Sequence, residues 1–252
     1  MEKKISDIKN ELTSLGENEL QDFIREYGAD ERPGVVKIVE SARKKLEKYR
    51  AELARIEIMK DYERKYADFE LICGIDEVGR GPLAGPVVAG AVILPKDSCI
   101  LYVNDSKKLS ETKREELYDV IMKEAVSVGL GFVDNIRIDE INILQATYEA
   151  MRQAISRLDP RPDLLLNDAV TIPGVDINQV PIIKGDARSI SIASASIVAK
   201  VTRDRLMVEY DKEYPDYDFA SNKGYGSAKH IEAIRKYGPT PIHRRTFIGN
   251  FI

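Results

Sequence analysis

The sequence predicts a layered α/β domain with a helical extension at its N-terminal side. Three observations lead there. After Phe69, short apolar runs of strand length alternate with amphipathic helical segments. From Lys4 to about Tyr66 the chain is charged, poor in Gly and Pro, and helical in period. The hydrophobic fraction, 43% of 252 residues, is enough to fill a real core.

In the extension, Ile5, Ile8, Leu12 and Leu15 recur at three- and four-residue steps, which predicts a short helix ending at Gly16. Leu20, Phe23, Ile24 and Tyr27 predict a second, closed by Gly28. After Arg32-Pro33-Gly34, a stripe of Val35, Ile38, Val39, Ala42, Leu46, Tyr49, Leu53 and Ile56 predicts a long helix with a solvated outer face. Its densest basic stretch is Arg43-Lys44-Lys45, Lys48 and Arg50, read either as a solvated face or as a phosphate-contacting one.

Beyond Phe69, Leu71-Ile75 and Pro86-Leu94 read as strands. Asp105-Ser106 and Thr112-x-x-Glu115 offer caps for a helix through Leu117, Val120, Ile121 and Ala125. Val126-Val133 reads as a strand, and Asp139 or Asn142 opens a helix running to Leu158. Leu164-Leu166 and Val180-Ile183 are two more strands. A helix from Ser189 to Tyr210 begins with small side chains, Ser191 to Ser196, which let its backbone approach a sheet or a ligand closely.

Composition narrows the function classes. No apolar run approaches the roughly 20 residues of a membrane span, and the start MEKKISDIKNEL lacks a secretory h-region. Cys73 and Cys99 are the only cysteines and neither sits in a CxxC, so neither a disulfide framework nor a cysteine zinc site is expected. A cytoplasmic protein with no membrane partner follows, with a monomer as the default. At a net charge of -4 and with no Trp, nucleic-acid binding requires a local basic surface rather than a global field.

The acids are placed informatively. Asp76-Glu77 follows the first apolar run, Asp168 the fourth after one Asn, and Asp186 the fifth after Lys184-Gly185. Strand ends border the ligand crevice of open α/β sheets. Acids gathered there repel one another unless protons or a cation compensate, and an all-oxygen donor set suits Mg²⁺ or Mn²⁺. Adjacent residues of a regular strand face opposite ways, so Asp76 and Glu77 share a metal only if the strand ends or twists there. Spacing alone leaves the choice between a shared metal site and ordinary strand-end acids open. Gly79-Arg80-Gly81 fits either a phosphate- or hydroxyl-binding turn or a simple tight turn. Asn222 to Gly226 fits either a platform for sugar or base or a plain loop. His230 and His243 read as surface or packing residues, while His243-Arg244-Arg245 could face phosphate.

The run Gly74-Ile75-Asp76-Glu77-Val78-Gly79-Arg80-Gly81-Pro82-Leu83-Ala84-Gly85-Pro86-Val87 resembles the opening motif of bacterial ribonuclease HII. The resemblance continues through Asn104 to Ser110, Lys184-Gly185-Asp186, Ser191 to Asp204, and Asn222 to Gly226. These ordered blocks cover roughly residues 71–247. The resemblance implies a ribonuclease H-like fold, a central mixed sheet flanked by helices, over residues 69–252, with 1–68 as a helical accessory domain. It implies hydrolysis of the RNA strand of RNA–DNA hybrids. It also implies incision 5′ to ribonucleotides embedded in duplex DNA, leaving 3′-hydroxyl and 5′-phosphate ends. Asp76, Glu77, Asp168 and Asp186 match the family's catalytic and metal-binding quartet, which holds two Mg²⁺ or Mn²⁺ ions. Gly79, Arg80 and Gly81 are expected to read the 2′-hydroxyl, Tyr225 to pack on the adjoining deoxyribose, and Lys107 and Lys200 to meet phosphate. The tail from Thr246, with Phe247 and Phe251, is either a clamp-docking segment or internal packing. Asn167 departs from the family, which has an apolar residue there. A catalytically silent hybrid-binding module on the same fold is the alternative, and so is another two-metal nuclease of that fold, such as a resolvase. The four intact acids favour an enzyme over the silent module, and the glycine turn with the tyrosine loop favours a ribonuclease over a resolvase.

Overall fold

The helical periodicity of the extension becomes three helices in the computed structural model, which describes residues 3–252: α1 (Ile5–Ser14), α2 (Leu20–Tyr27) and α3 (Pro33–Met59). The first two residues of the predicted extension lie outside the described residues. Ile8, Leu12, Leu20, Phe23, Tyr27, Val35, Val39 and Ala42 form one buried cluster, the residues the periodicity turned inward. Arg43, Lys44, Lys45, Lys48 and Arg50 are all exposed.

The compact units divide as Met1–Ile58 and Met59–Ile252, ten residues before the predicted boundary at 68. The reason is local packing. Tyr62 and Tyr66, in and just after α4 (Asp61–Lys65), pack with Phe69 onto Ile72, Leu164, Leu166, Ile182 and Ile192. The Glu63 carboxylate accepts the Ser189 hydroxyl at 2.6 Å and the Ser191 N–H at 3.1 Å. Residues 59–68 thus belong to the second unit although their composition resembles the first.

The second unit is built on a five-stranded sheet ordered β3-β2-β1-β4-β5. Its strands are β1 (Ile72–Val78), β2 (Val87–Ile93), β3 (Ser127–Val133), β4 (Leu164–Asp168) and β5 (Asn178–Ile182). β2 runs antiparallel to its neighbours β1 and β3, and β4 and β5 are parallel to β1, so the sheet is mixed. Between the strands lie α5 (Glu111–Glu124) and α6 (Asn135–Ser156). α7 (Ile190–Glu213), α8 (Phe219–Asn222), α9 (Ala228–Tyr237) and α10 (Arg245–Ile248) follow the sheet. Two starts differ from prediction. α5 is capped by Ser110, which accepts the Lys113 N–H. α6 begins at Asn135 under an Asp134 cap, earlier than predicted, and is kinked at Asn142, whose φ of 67° and side-chain acceptor open its second part as the sequence predicts.

α6 covers one face of the sheet, on Cys73, Ile75, Val87, Ala89 and Ala91. α7 covers the other, and its small side chains bring it very close: a Cβ on Gly74 would lie 2.1 Å from the Ser191 carbonyl carbon. Asp76 shares that face with Gly74 and Val78. No helix among the described residues is long and apolar enough to cross a membrane.

Candidate active site

The crevice arises where two parallel neighbours part. The β1–β4 ladder ends at Ile75 opposite Asn167, while β1 continues to Val78 against β2 and β4 continues to Asp168 against β5. The strand therefore does not stop at Asp76; it loses its neighbour on one side. Asp76 and Asp168 flank the opening, at the point where the strand order reverses, the place open α/β sheets reserve for ligands.

Asp76 is buried, 6% exposed, and its own carboxylate accepts the Glu77 N–H at 2.8 Å. Burial, then the charges of Glu77 and Asp168, raise it well above the usual carboxylate range, against a hydrogen bond from Ser196 on α7. Glu77 is raised by burial and by Asp168, and lowered by Arg80, which reaches it at 3.2 Å. The loop after β5 returns the fourth acid. Lys184 takes a left-handed conformation, and the Gly185 N–H donates to Asp168 Oδ1 at 2.7 Å. Asp186 is raised by burial and by the charges of Asp105 and Asp168, and lowered by Lys107.

Asp168 is thus the common electrostatic neighbour of the other three acids. The donor set is entirely oxygen and its charge is only partly offset, by Arg80 and Lys107, which fits hard divalent cations. No three His, Cys, Asp or Glu side chains among the described residues are drawn into a ready-made chelating cluster.

A second element borders the acids. Gly79 has φ of +89°, and a Cβ there would lie 2.2 Å from Arg203 Nε, so only glycine fits. Arg80 and Gly81 are exposed. Tyr225 is 42% exposed and edges the same turn: a Cβ on Gly81 would sit 3.7 Å from its ring. The Leu83 N–H donates to Gly224 O at 2.8 Å and fastens turn to loop. Lys107 is exposed beside Asp186. Lys200 is held instead in an ion pair with the buried Asp204 at 2.8 Å.

Sequence reasoning missed several residues. Asp105 and Ser196 touch the quartet electrostatically, and the Ser196 hydroxyl lies 3.0 Å from that of Ser106. His230 and His243 are fully buried, their Nε2 atoms 3.0 Å apart, so both are packing residues. Arg244 faces backbone carbonyls, not a phosphate surface. Asn167 is fully buried; its Nδ2 donates to Gln179 Oε1 at 2.8 Å, while its Oδ1 has no hydrogen-bond partner among the described residues.

Comparison with known proteins accounts for both units. The family model "Ribonuclease HII" matches residues 73–250, and the model "Ribonuclease HII N-terminal domain" matches residues 4–67. The chain is 64% identical to a ribonuclease HII of Lachnoclostridium phytofermentans, over 98% of this chain and 97% of the relative. Among solved structures it resembles the ribonuclease H2 of Pyrococcus horikoshii OT3, at TM-score 0.59 and 30% identity over 70% of this chain and 93% of that one. It shares a fold, at 24% identity and TM-score 0.59, with the RNase HII of Archaeoglobus fulgidus described in a complex with PCNA, over 71% and 96% of the two chains. With its mixed sheet flanked by helices, its acids at the β1–β4 opening and both family models matched, the chain belongs to the ribonuclease HII family of endoribonucleases.

Proposed function

We propose that the protein cleaves the RNA strand of RNA–DNA hybrids and incises 5′ to single ribonucleotides embedded in duplex DNA, leaving 3′-hydroxyl and 5′-phosphate ends. The observation that carries this reading is the position of Asp168, whose charge bears on Asp76, Glu77 and Asp186 at once. Three acids gathered around Asp168 in this way are, with it, the expected holders of two Mg²⁺ or Mn²⁺ ions. The chemistry such a pair supplies when bound is activation of the attacking water and stabilisation of the leaving oxygen.

The chain's own residues do the rest. Asp76 and Asp168 frame the place for the scissile phosphate, and the Gly185 N–H holds Asp168 in its orientation. Gly79-Arg80-Gly81 presents backbone to the ribose, the only point at which RNA differs from DNA there. Tyr225, half exposed beside that turn, offers its ring to the adjoining deoxyribose. Lys107 is free to meet phosphate; Lys200 is engaged by Asp204. A silent hybrid-binding module would have no use for the buried, energetically costly Asp76. Phe247 and Phe251, both half-buried, pack against the Tyr217, Phe219 and Ile248 cluster, and the Archaeoglobus fulgidus RNase HII described in a complex with PCNA supports a clamp contact through this tail.

For residues 1–58 the reading is a substrate-extending accessory unit. Arg25, Arg43 and Arg50 line one groove with Gln21, Leu46 and the single acid Glu47, a surface with a local excess of positive charge on an acidic protein. Replacing Arg43 and Arg50 with Gln is expected to weaken hybrid binding and flatten its salt dependence; an unchanged salt slope would leave this unit a packing role only.

The activity itself is tested with a DNA duplex carrying one ribonucleotide, in Mg²⁺ or Mn²⁺, beside an Asp76→Asn variant and an all-DNA duplex. Metal-dependent incision 5′ to the ribonucleotide, absent from both controls, is expected. Binding without incision by the intact protein would instead establish a silent module.

A further inference from the structure

Arg203 and Arg244 are the largest fully buried side chains of the protein, and neither forms an ion pair with a carboxylate among the described residues. Carbonyl oxygens satisfy them instead. Arg203 donates from Nε to Pro86 O at 2.9 Å, from Nη2 to Ala84 O at 3.1 Å, and from Nη1 to Lys223 O at 2.8 Å. Arg244 donates from Nε and Nη2 to Gly85 O at 3.0 and 2.9 Å, from Nη1 to Arg80 O at 2.9 Å, and from Nη2 to Gly79 O at 2.5 Å. All the acceptors but one lie between Gly79 and Pro86. The exception, Lys223, stands two residues before Tyr225.

Two like charges buried side by side are costly. Burial pushes Arg203 down to about 10 and Arg244 down to about 9, the latter also through repulsion by Arg203. Apolar residues of similar volume would serve plain packing at least as well, so stability alone does not explain the pair.

The geometry of the peptide unit shows what the pair does. In a trans peptide the C=O of one residue and the N–H of the next point in opposite directions. Arg244 draws the carbonyls of Gly79 and Arg80 inward, which turns the N–H groups of Arg80 and Gly81 outward. Neither N–H has a partner among the described residues, and both residues are exposed beside the Tyr225 ring. Two successive outward N–H groups are a receptor for an oxygen acceptor, and a cation bonded to the far end of each peptide strengthens them as donors.

We propose that Arg244 is the positioning residue for ribose recognition, aiming the Arg80 and Gly81 N–H groups at the ribose hydroxyl oxygen of the ribonucleotide, while Arg203 locks that turn to the Tyr225 loop. This rests on the ribose-reading role proposed above for Gly79-Arg80-Gly81. Its consequence is that discrimination between ribose and deoxyribose depends on a residue that never touches the substrate.

The test compares binding of the full-length wild type and Arg244→Lys to a duplex with one ribonucleotide and to an all-DNA duplex, with Ca²⁺ replacing Mg²⁺. Lysine keeps the charge but reaches far fewer carbonyls. The variant is expected to bind all-DNA duplex within twofold of wild type while losing tenfold or more of the preference for the ribonucleotide. The kcat/KM for incision should fall by a similar factor. A folded variant that keeps the preference, or that loses affinity equally for both duplexes, overturns the inference. A wild type with no preference overturns both this inference and the ribose-reading role beneath it. A measurement on the wild type needs no variant: the ¹⁵N–¹H signals of Arg80 and Gly81 are expected to shift with the ribonucleotide duplex and not with the all-DNA duplex. Equal shifts with both, or none, overturn the proposal even if Arg244→Lys fails to fold.

Discussion

Gly185 and Asp168 are joined by a 2.7 Å hydrogen bond from the backbone N–H to Oδ1, so the loop carrying Asp186 hangs from the acid that ends β4. This separates two roles of Asp168, charge and anchor. Asp168→Asn keeps an acceptor for Gly185 and removes the charge; Asp168→Ala removes both. Both variants are expected to lose metal-dependent incision. Urea unfolding should place the alanine variant about 0.5–1.5 kcal/mol below the asparagine one, the net worth of a neutral hydrogen bond. Equal stabilities would mean that the anchor contributes nothing.

Asp76 is expected to trade stability for function. Its folded pKa is raised by burial and by the charges of Glu77 and Asp168. For an acid raised in this way, the associated stability is present below the unfolded value, near 3.9, and is lost as pH rises through the folded value. At pH 7 Asp76 therefore carries a penalty that a neutral side chain would not, and Asp76→Asn removes that penalty together with activity. A gain of about 1–2 kcal/mol is expected, raising the melting temperature by roughly 2–8 °C in a chain of this size. Added Mn²⁺ should stabilise the wild type and not the variant, by ligand linkage. Thermal melts at pH 7, with and without Mn²⁺, decide the point; a variant that melts lower than wild type refutes it.

The four acids were legible because each follows an apolar run short enough to be a strand, and strand ends are where an open sheet keeps its ligands. What local pattern misjudged was the end of β1, which runs through Asp76 and Glu77 to Val78 because β2 still pairs with it. The unit boundary fell short of residue 68 because Glu63 and Tyr66 are charged or amphipathic in sequence yet engaged by partners more than a hundred residues away, as in the Glu63–Ser189 bond. Arg203 and Arg244 were least legible of all. An arginine in a charged helix or a basic tripeptide reads as surface, and nothing local shows that carbonyls 117 to 165 residues distant will receive it.

The buried histidine pair makes a pH prediction. Thr240 N–H donates to His243 Nδ1 at 2.9 Å, which places the His243 proton on Nε2, 3.0 Å from His230 Nε2. His230 then carries its proton on Nδ1 and donates to Tyr225 O at 2.8 Å. The relay requires both rings neutral. Burial, then the neighbouring His230, push His243 down to about 4, and burial lowers His230 too. A base with a depressed folded pKa contributes stability that is complete above the unfolded value and lost as pH falls toward the folded one. Between pH 6.5 and about 4, His243 should therefore cost the wild type about 2–3 kcal/mol. The raised carboxylates act in the opposite sense, so the readout is the difference between wild type and His243→Gln in urea melts across that window. A difference that does not change with pH would mean that the ring is protonated in place without cost.

Asn167 tests whether a departure from the family reaches the chemistry. Its Nδ2 donates to Gln179 Oε1, but its Oδ1 is buried without a partner. Gln179 is secured independently, accepting the Ile172 N–H at 2.8 Å and donating to Ile172 O at 3.0 Å. Asn167→Leu would leave those two bonds in place and remove an unsatisfied buried acceptor beside apolar neighbours such as Leu165 and Ile172. A gain of about 1 kcal/mol in urea unfolding is expected. Alternation along β4 sends residues 167 and 168 to opposite faces, so incision should stay within twofold of wild type. A stable Asn167→Leu variant with impaired incision would show instead that Asn167 sets the direction of Asp168 through the strand, and that the polar residue belongs to the site.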